Sequence, residues 1–301
     1  MADNDVLAAL DIGGTHVAAA VVDTATWTVR PEGVRRRPLR ADGTADEILS
    51  GIVACGREFD LPAEVWCGIA VPGPFDVARG VGLFQSVGKF DSLYGVDVRS
   101  AVADGLGLAR SRLRFINDAE AFLIGEWVAG AVSGHDRAAA ITLGTGVGSA
   151  FLADGTIVAA GDSVPPEGRV DLLTIGGRPL EEIVSRRALL TAYGGGPDID
   201  IRDIAERARS GEPQAQAVID TAMRALGRAL GPWLTRFQAT VLVVGGAISA
   251  SWDLIEPPLR AGLGGAGPAL VPARQPVLSP LVGAAWHCCR TIPPAGIPTE
   301  G

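Results

Sequence analysis

The sequence predicts an α/β protein of two lobes built on one plan, and three observations predict it. Apolar, β-branched runs alternate along the chain with segments of helical pattern. The stretch "AALDIGGTHVAAAVVD" at 8–23 returns as "AAITLGTGVGSAFLAD" at 139–154. The length of 301 residues suffices for one large domain or two lobes. In the echo, Ala8, Ala9, Gly13, Ala19 and Asp23 match Ala139, Ala140, Gly144, Ala150 and Asp154. Leu10/Ile141, Ile12/Leu143 and Val21/Leu152 are conservative pairs. Both copies run strand, Gly/Thr turn, strand, acidic stop, which favours two similar lobes. We place an N-terminal α/β lobe at 1–117 and a C-terminal α/β lobe at 118–301, with the last helix packing back on the first lobe. The two glycine turns are then expected to face each other across a cleft.

In chain order, apolar runs predict strands at 6–12, 16–23, 65–71, 114–116, 138–143, 148–153 and 241–244. Helical patterns cover 44–59, 119–129, 180–193, 201–210, 213–237 and the region around 281–290. The 114–116 strand ends on Asn117-Asp118, which opens a helix. The last strand runs directly into Gly245-Gly246.

Composition excludes several classes. The 48% hydrophobic content and mean hydropathy of +0.27 owe much to Ala and Gly, and no apolar run approaches the roughly 20 residues of a bilayer span. The opening "MADNDVLAAL" lacks the basic region and apolar core of a signal peptide, so a cytoplasmic protein with no membrane partner is expected. A formal charge of −8 argues against a nucleic-acid surface, and Arg35-Arg36-Arg37 reads as a solvated strand edge or loop. Cys55, Cys67, Cys288 and Cys289 show no CxxC spacing, so reduced core thiols are favoured over disulfides or a zinc cluster.

Three glycine-rich turns carry the chemistry. In Asp11-Ile12-Gly13-Gly14-Thr15, glycine lets a ligand approach the amides, successive N–H groups can form a phosphate nest, and the Thr hydroxyl adds a donor. An acid beside polyphosphate is repelled unless a cation mediates, so Asp11 reads as a ligand of Mg²⁺, directly or through water. The alternative is a tight hairpin with Asp11 as a turn acid. The second turn is Gly144-Thr145-Gly146 within "LGTGVG", and the third is Gly245-Gly246 in "VVGG". From their own segment, Asn117 and Asp118 read first as caps for the free N–H groups of the helix they open. Pro72-Gly73-Pro74 could be a fixed wall for a polar ligand or an ordinary turn.

In this order the three turns resemble the phosphate-1, phosphate-2 and adenosine elements of the actin-like ATPase fold that sugar kinases share with actin. More narrowly, the chain is similar to the ROK group (repressors, open reading frames, kinases). The matching segments are DIGGT at 11–15, "GIAVPGPFD" at 68–76, "FINDAEAFLIGEW" at 115–127, LGTG at 143–146 and "VVGG" at 243–246. The resemblance implies a two-lobed actin-like ATPase (ribonuclease H-like) fold, with duplicated mixed β-sheet domains and an interlobe cleft. It implies ATP on Gly13, Gly14, Thr15, Gly144, Thr145, Gly146, Gly245 and Gly246, with Mg²⁺ at Asp11. Asp118 would be the general base that takes the proton of a sugar hydroxyl, and Asn117 would bind neighbouring hydroxyls, with Gly73 on the sugar side.

The chain also departs from the pattern. Zinc-bearing members carry E-x-G-H, then a cysteine cluster, then an acid opening a helix. Here 164–189 reads "VPPEGRVDLLTIGGRPLEEIVSRRAL", without Cys or His, so no structural zinc is expected. Glu167 would stand at the first acid, Val170 at the His that touches the sugar, and Glu181 at the later sugar-contacting acid or as a first-turn helix acid. Within "FQSVGKFDSLYG" at 84–95, Lys89 stands near the family's sugar-gripping Asn, as a substrate contact or a solvated cation. His16 replaces a common Lys and is expected to point outward. Repressor members add a DNA-binding domain before the first strand; with that strand expected about five residues in, none is expected here. The expected function is an ATP-dependent kinase acting on a primary hydroxyl of glucose, an amino sugar or a C7-cyclitol, with the lobes closing to exclude water. A homodimer is compatible with this reading. The alternative is a non-catalytic sugar- or nucleotide-sensing protein of the same fold.

Overall fold

In the computed structural model, which describes residues 5–196, 198–265 and 267–292, the Gly-Gly-Thr turn joins β1 (Val6–Ile12) to β2 (His16–Asp23). They form an antiparallel hairpin with Ile12 opposite Val17. β3 (Thr28–Val29) and β4 (Arg35–Pro38) both pair with β2. α1 (Ala45–Gly56) starts at a capping box: the Glu47 N–H donates to Thr44 Oγ1 at 3.3 Å, and the Thr44 N–H donates to Glu47 Oε2 at 2.8 Å. β5 (Cys67–Val71) runs parallel to β1, and the short hairpin β6 (Phe75–Asp76) and β7 (Val81–Gly82) follows. After α2 (Val98–Leu106), β8 (Leu113–Asn117) joins parallel to β5 and leads directly into α3 (Asp118–Ala129). The sheet order is β3-β2-β1-β5-β8.

Strand alternation divides this sheet's side chains between two cores. Leu10, Ile12, Val17, Ile69 and Phe115 pack with Ile48 and Ile52 of α1 and Val98 and Val102 of α2. Leu7, Ala9, Ala18 and Ala20 turn to the other face.

The second unit repeats the plan. β9 (Arg137–Leu143) and β10 (Val147–Ala153) form the hairpin, β11 (Thr156–Ile157) extends it, and β12 (Thr174–Ile175) pairs apart with β13 (Arg178–Pro179). There follow α4 (Glu181–Val184), α5 (Arg186–Tyr193), α6 (Ile201–Arg209) and α7 (Pro213–Phe237). β14 (Val241–Gly245), α8 (Trp252–Leu263) and β15 (Ala269–Pro272) complete the order β11-β10-β9-β14-β15. Like the first, this sheet is a hairpin extended by two parallel strands. Its core sets Ile141, Phe151, Leu242 and Val244 against Met223, Leu226 and Leu230 of α7.

Two expectations need correction. The 131-residue echo superposes β1 on β9 but slips in the second strands. Ile12 pairs with Val17 across four turn residues, whereas Leu143 pairs with Val147 across three. The Ala19/Ala150 and Asp23/Asp154 identities are therefore out of register, because one turn is a residue shorter. The helix expected at 180–193 is two helices. Ser185 takes an extended conformation (φ −70°, ψ 161°) and its hydroxyl accepts the Ala188 N–H, capping α5.

The last helix, α9 (Ser279–Thr291), belongs with the first unit, which comprises residues up to 129 and from 277 on; the second comprises 130–276. Leu281 and Ala285 cover the Leu7/Ala9 face of the first sheet. Glycines let α9 approach its neighbours closely. A Cβ on Gly283 would overlap the Ala121 carbonyl of α3, and one on Gly68 would overlap the Ala284 carbonyl. Cys55, Cys67 and Cys288 are buried, and all four cysteines are free. Burial pushes the thiols of Cys55 and Cys288 up to about 11 and about 12. Among the described residues no helix is long and apolar enough to cross a membrane.

Candidate active site

The first unit gathers polar groups at the carboxyl ends of β1, β5 and β8. Asp11 lies opposite Ala70, and Val71 opposite Asn117, so one end of three adjacent parallel strands carries Asp11, Asn117 and Asp118. Open α/β sheets bind ligands at this end. Burial and the Asp118 charge push the Asp11 carboxyl up to about 7, partly opposed by Arg36. Burial also raises Asp118, against the Lys89 charge, the Ala119 N–H and the Asn117 amide, which favour its anion. The N-terminus of α3 adds positive potential.

Asn117 serves the backbone as well. Its Oδ1 accepts the N–H groups of Ala119 (3.0 Å) and Glu120 (3.4 Å), so it caps α3 and its side-chain NH₂ is the part left to face a ligand. A Cβ on Gly73 would stand 3.8 Å from Asn117 Nδ2, which puts the Pro-Gly-Pro loop beside the pair. The Gly73–Pro74 peptide is cis. Lys89 is half-buried in a loop held by Asp91, whose carboxylate accepts the N–H groups of Val87 and Gly88.

The glycine turns differ in what their own packing demands. The Gly13 N–H donates to the His16 carbonyl at 2.8 Å, and a Cβ on Gly13 would sit 3.2 Å from that oxygen. Gly246 has φ +83° and lies hard against the Leu143 carbonyl, so the fold itself requires glycine there. Gly245, opposite Thr142, closes β14. Gly14 and Gly144 are another matter. Neither has a positive φ, and a Cβ on either would meet nothing within 4 Å. The space a side chain would take at these two positions is open, so a ligand can approach the turns closely, and Thr15 and Thr145 stand exposed at the matching turns.

In the second unit, Glu181 opens α4 with Oε1 3.2 Å from where a Cβ on Gly146 would stand, so it belongs to the second glycine turn. The Arg186 N–H donates to the Gly144 carbonyl and anchors the same turn. Glu167 is exposed, in the left-handed region (φ 57°), and accepts from Arg169 Nη1 at 3.3 Å. Arg169 also binds Asp171 at 2.7 Å. Val170 is fully buried, with its N–H donating to Ser149 Oγ, so it is a core residue. Asp11, Gly13, Gly14, Thr15, Gly73, Lys89, Asn117 and Asp118 thus lie in the first unit, and Gly144, Thr145, Gly146, Glu167, Glu181, Gly245 and Gly246 in the second. Among the described residues no group of three or more His, Cys, Asp or Glu is placed to hold a metal ion.

One residue escaped the sequence reading. β4 is an edge strand in which Arg35 and Arg37 reach Glu58, but Arg36 pairs with Ala18, next to Asp11 in the same cross-strand row. Its charge lowers both Asp11 and His16. Strand alternation within the Arg triplet was the available signal. His16 does not point outward: it is half-buried and its ring lies over Gly13.

The ROK family model matches residues 7–264. The chain belongs to the ROK family. Glucokinase of Thermotoga maritima is 28% identical to this ROK chain over 92% of it and 93% of the relative. N-acetyl-D-glucosamine kinase of Yersinia pseudotuberculosis is 25% identical over 79% and 83%. A solved ROK family glucokinase from Streptomyces griseus, in complex with glucose and AMPPNP, matches with a TM-score of 0.77 at 26% identity, over 95% of this chain and 99% of that one. The fold is the expected actin-like ATPase fold, and the two matching sheet orders are its duplication.

Proposed function

We propose that this ROK protein is an ATP-dependent kinase that phosphorylates a primary hydroxyl of a hexose or hexose-like substrate: glucose, an amino sugar or a C7-cyclitol. The curated relatives support a sugar kinase as the class. The observation that carries the reading is the Asn117-Asp118 pair at the carboxyl end of β8, beside Asp11 on β1. Asp118 is the general base. It accepts the proton of the sugar hydroxyl as that oxygen attacks the γ-phosphorus and the bond to the ADP oxygen breaks. Burial raises its proton affinity above that of an ordinary carboxylate, while the Lys89 charge and the Ala119 N–H favour its anion. Asn117, its Oδ1 committed to the helix cap, donates from its amide to a neighbouring hydroxyl. Gly73 forms the adjoining wall, and Lys89, Glu167 and Glu181 are the further substrate contacts we assign.

The turns Gly13-Gly14-Thr15 and Gly144-Thr145-Gly146 receive phosphate oxygens on their remaining donors, since the Gly13 and Gly144 N–H groups already donate to the His16 and Gly146 carbonyls and shape the turns, and Gly245 and Gly246 receive the adenosine. The open space at Gly14 and Gly144 fits that ligand. For Mg²⁺ the donor set also fits: the Asp118 charge raises the proton affinity of Asp11 as a close carboxylate does, and a magnesium site needs only one or two carboxylates beside phosphate. Asp11 would hold the ion, which when bound neutralises phosphate charge.

The test is ADP release measured against a panel of hexoses, amino sugars and cyclitols. At least one acceptor should raise the rate above that with ATP alone. Asp118→Asn should lower kcat by roughly 10²–10⁴-fold while ATP affinity stays nearly unchanged. If ligands bind but no acceptor raises ADP release, the protein senses rather than phosphorylates. Full activity in Asp118→Asn would remove the assigned base.

A further inference from the structure

Away from the Asp11/Asp118 end of the sheet, the outer side of β8 borders a recess of about 300 Å³. Val77, Ala78, Arg99, Arg114, Phe115 and His287 line it. β8 is the last strand of its sheet, so its outer carbonyls have no strand partner. Side chains take that place: the Leu113 carbonyl accepts from Arg99 Nη1 at 2.7 Å and from Arg114 Nη1 at 3.1 Å. Arg99 also donates to the carbonyls of Val77, Ala78 and Arg79, which ties the β6–β7 hairpin to β8.

Closing a sheet edge does not use up these guanidiniums. The bonds of Arg114 come from Nε, to Thr291, and Nη1, to Ser111 and Leu113. Nη2, with two donors, has no acceptor among the described residues. Nor does any carboxylate among them lie within 4.0 Å of Arg99 or Arg114; Asp76 and Asp97 act on Arg99 only from farther off. The two guanidiniums are close enough for Arg114 to lower the proton affinity of Arg99 and of His287. Packing fixes them in this arrangement. Arg99 stacks on Phe115 at 5.1 Å, Arg114 on Trp66 at 4.7 Å, and a Cβ on Gly80 would stand 2.5 Å from Arg99 Cβ. Two like charges held rigidly together, with unspent donors, no lining acid and an apolar wall, form a preorganised oxyanion site. A volume near 300 Å³ is the lower end of the range for small-molecule sites, so it admits more than a lone ion.

We propose that this recess binds the phosphoryl group of a small phosphorylated molecule, with Arg114 as the principal ligand and Arg99 and His287 beside it. The proposal does not depend on the kinase reading. Inorganic phosphate and glycerol phosphate, titrated calorimetrically into the full-length protein without nucleotide, test it. Saturable binding is expected, weakened about tenfold or more in Arg114→Gln and several-fold in His287→Gln. Both variants should keep the wild-type circular dichroism and the wild-type rate of ADP release. In Asp118→Asn the isotherm should be unchanged. Equal or tighter binding of the monoester identifies a phosphorylated metabolite as occupant, and preference for the inorganic ion identifies free phosphate; both support the site. Absence of saturable binding, or binding that survives in both Arg114→Gln and His287→Gln but falls in Asp118→Asn, would overturn it.

Discussion

Gly144 and Gly246 show how one residue type serves two ends. At Gly246 the positive φ and the Leu143 carbonyl demand glycine, while at Gly144 nothing in the protein does. Gly246→Ala should therefore destabilise by about 1–3 kcal/mol in urea unfolding. Gly144→Ala should leave stability within about 0.5 kcal/mol and raise the KM for ATP, as read from steady-state kinetics. Asp11 predicts a pH effect of definite sign. Its carboxyl titrates at 3.8 when unfolded and at about 7 when folded. Between these values the folded state holds a proton that the unfolded state has lost, so stability is full below about 4 and falls as pH rises through 7. Asp11→Asn, which cannot ionise, should match the wild type near pH 4 and exceed its stability near pH 8 by up to a few kcal/mol in chemical denaturation. These residues were legible because acid-glycine and Asn-Asp patterns are rare and local. Arg36 was not, because its partner Asp11 lies two strands away.

At the scale of elements, strong periodicity carried the strands and the long helix, and β1, β2 and α7 match the expected bounds. What failed was local punctuation. Ser185 interrupts a pattern that reads as one helix from 180 to 193. Pro257 and Pro258 hid α8, which forms because Ile255 and Leu259 bury against the second sheet's core. Helix pairs are set by glycine, a signal that sequence periodicity does not rank. α3 and α9 meet at Gly125 and Gly283, and α7 and α8 at Gly227 and Gly262. The Ala121 carbonyl leaves no space for a methyl at 283, so Gly283→Ala should cost about 3 kcal/mol or more in urea unfolding. The shift should come with loss of the near-ultraviolet signal of the Trp127–Trp286 edge contact.

For the whole molecule, the first unit closes only when the chain's last helix returns to it. Leu281 and Ala285 of α9 cover Leu7, Ala9, Ala18 and Ala20, a face that nothing between residues 130 and 276 supplies. Ending the chain at Pro276 should therefore unfold the first unit, seen as loss of hydrogen-exchange protection in β1 and β5. Protection in β9 and β14 should outlast it.

By itself the sequence determined the α/β class, the duplicated hairpin that opens each unit, the ROK motifs and the acids that carry a kinase reading. All of these rest on patterns within about a dozen residues or on a repeat of such a pattern. The tertiary structure alone decided how Asp11, Arg36 and Asp118 share one electrostatic neighbourhood. It also decided which glycines the fold demands and which it leaves open, and where Arg99, Arg114 and His287 gather at the edge of β8. Those are relations across strands and between distant helices, and their strength depends on burial and separation, which linear order does not encode. The Gly-Gly-Thr turn was readable as a motif; the empty space beside Gly14 became visible only once the chain had folded around it.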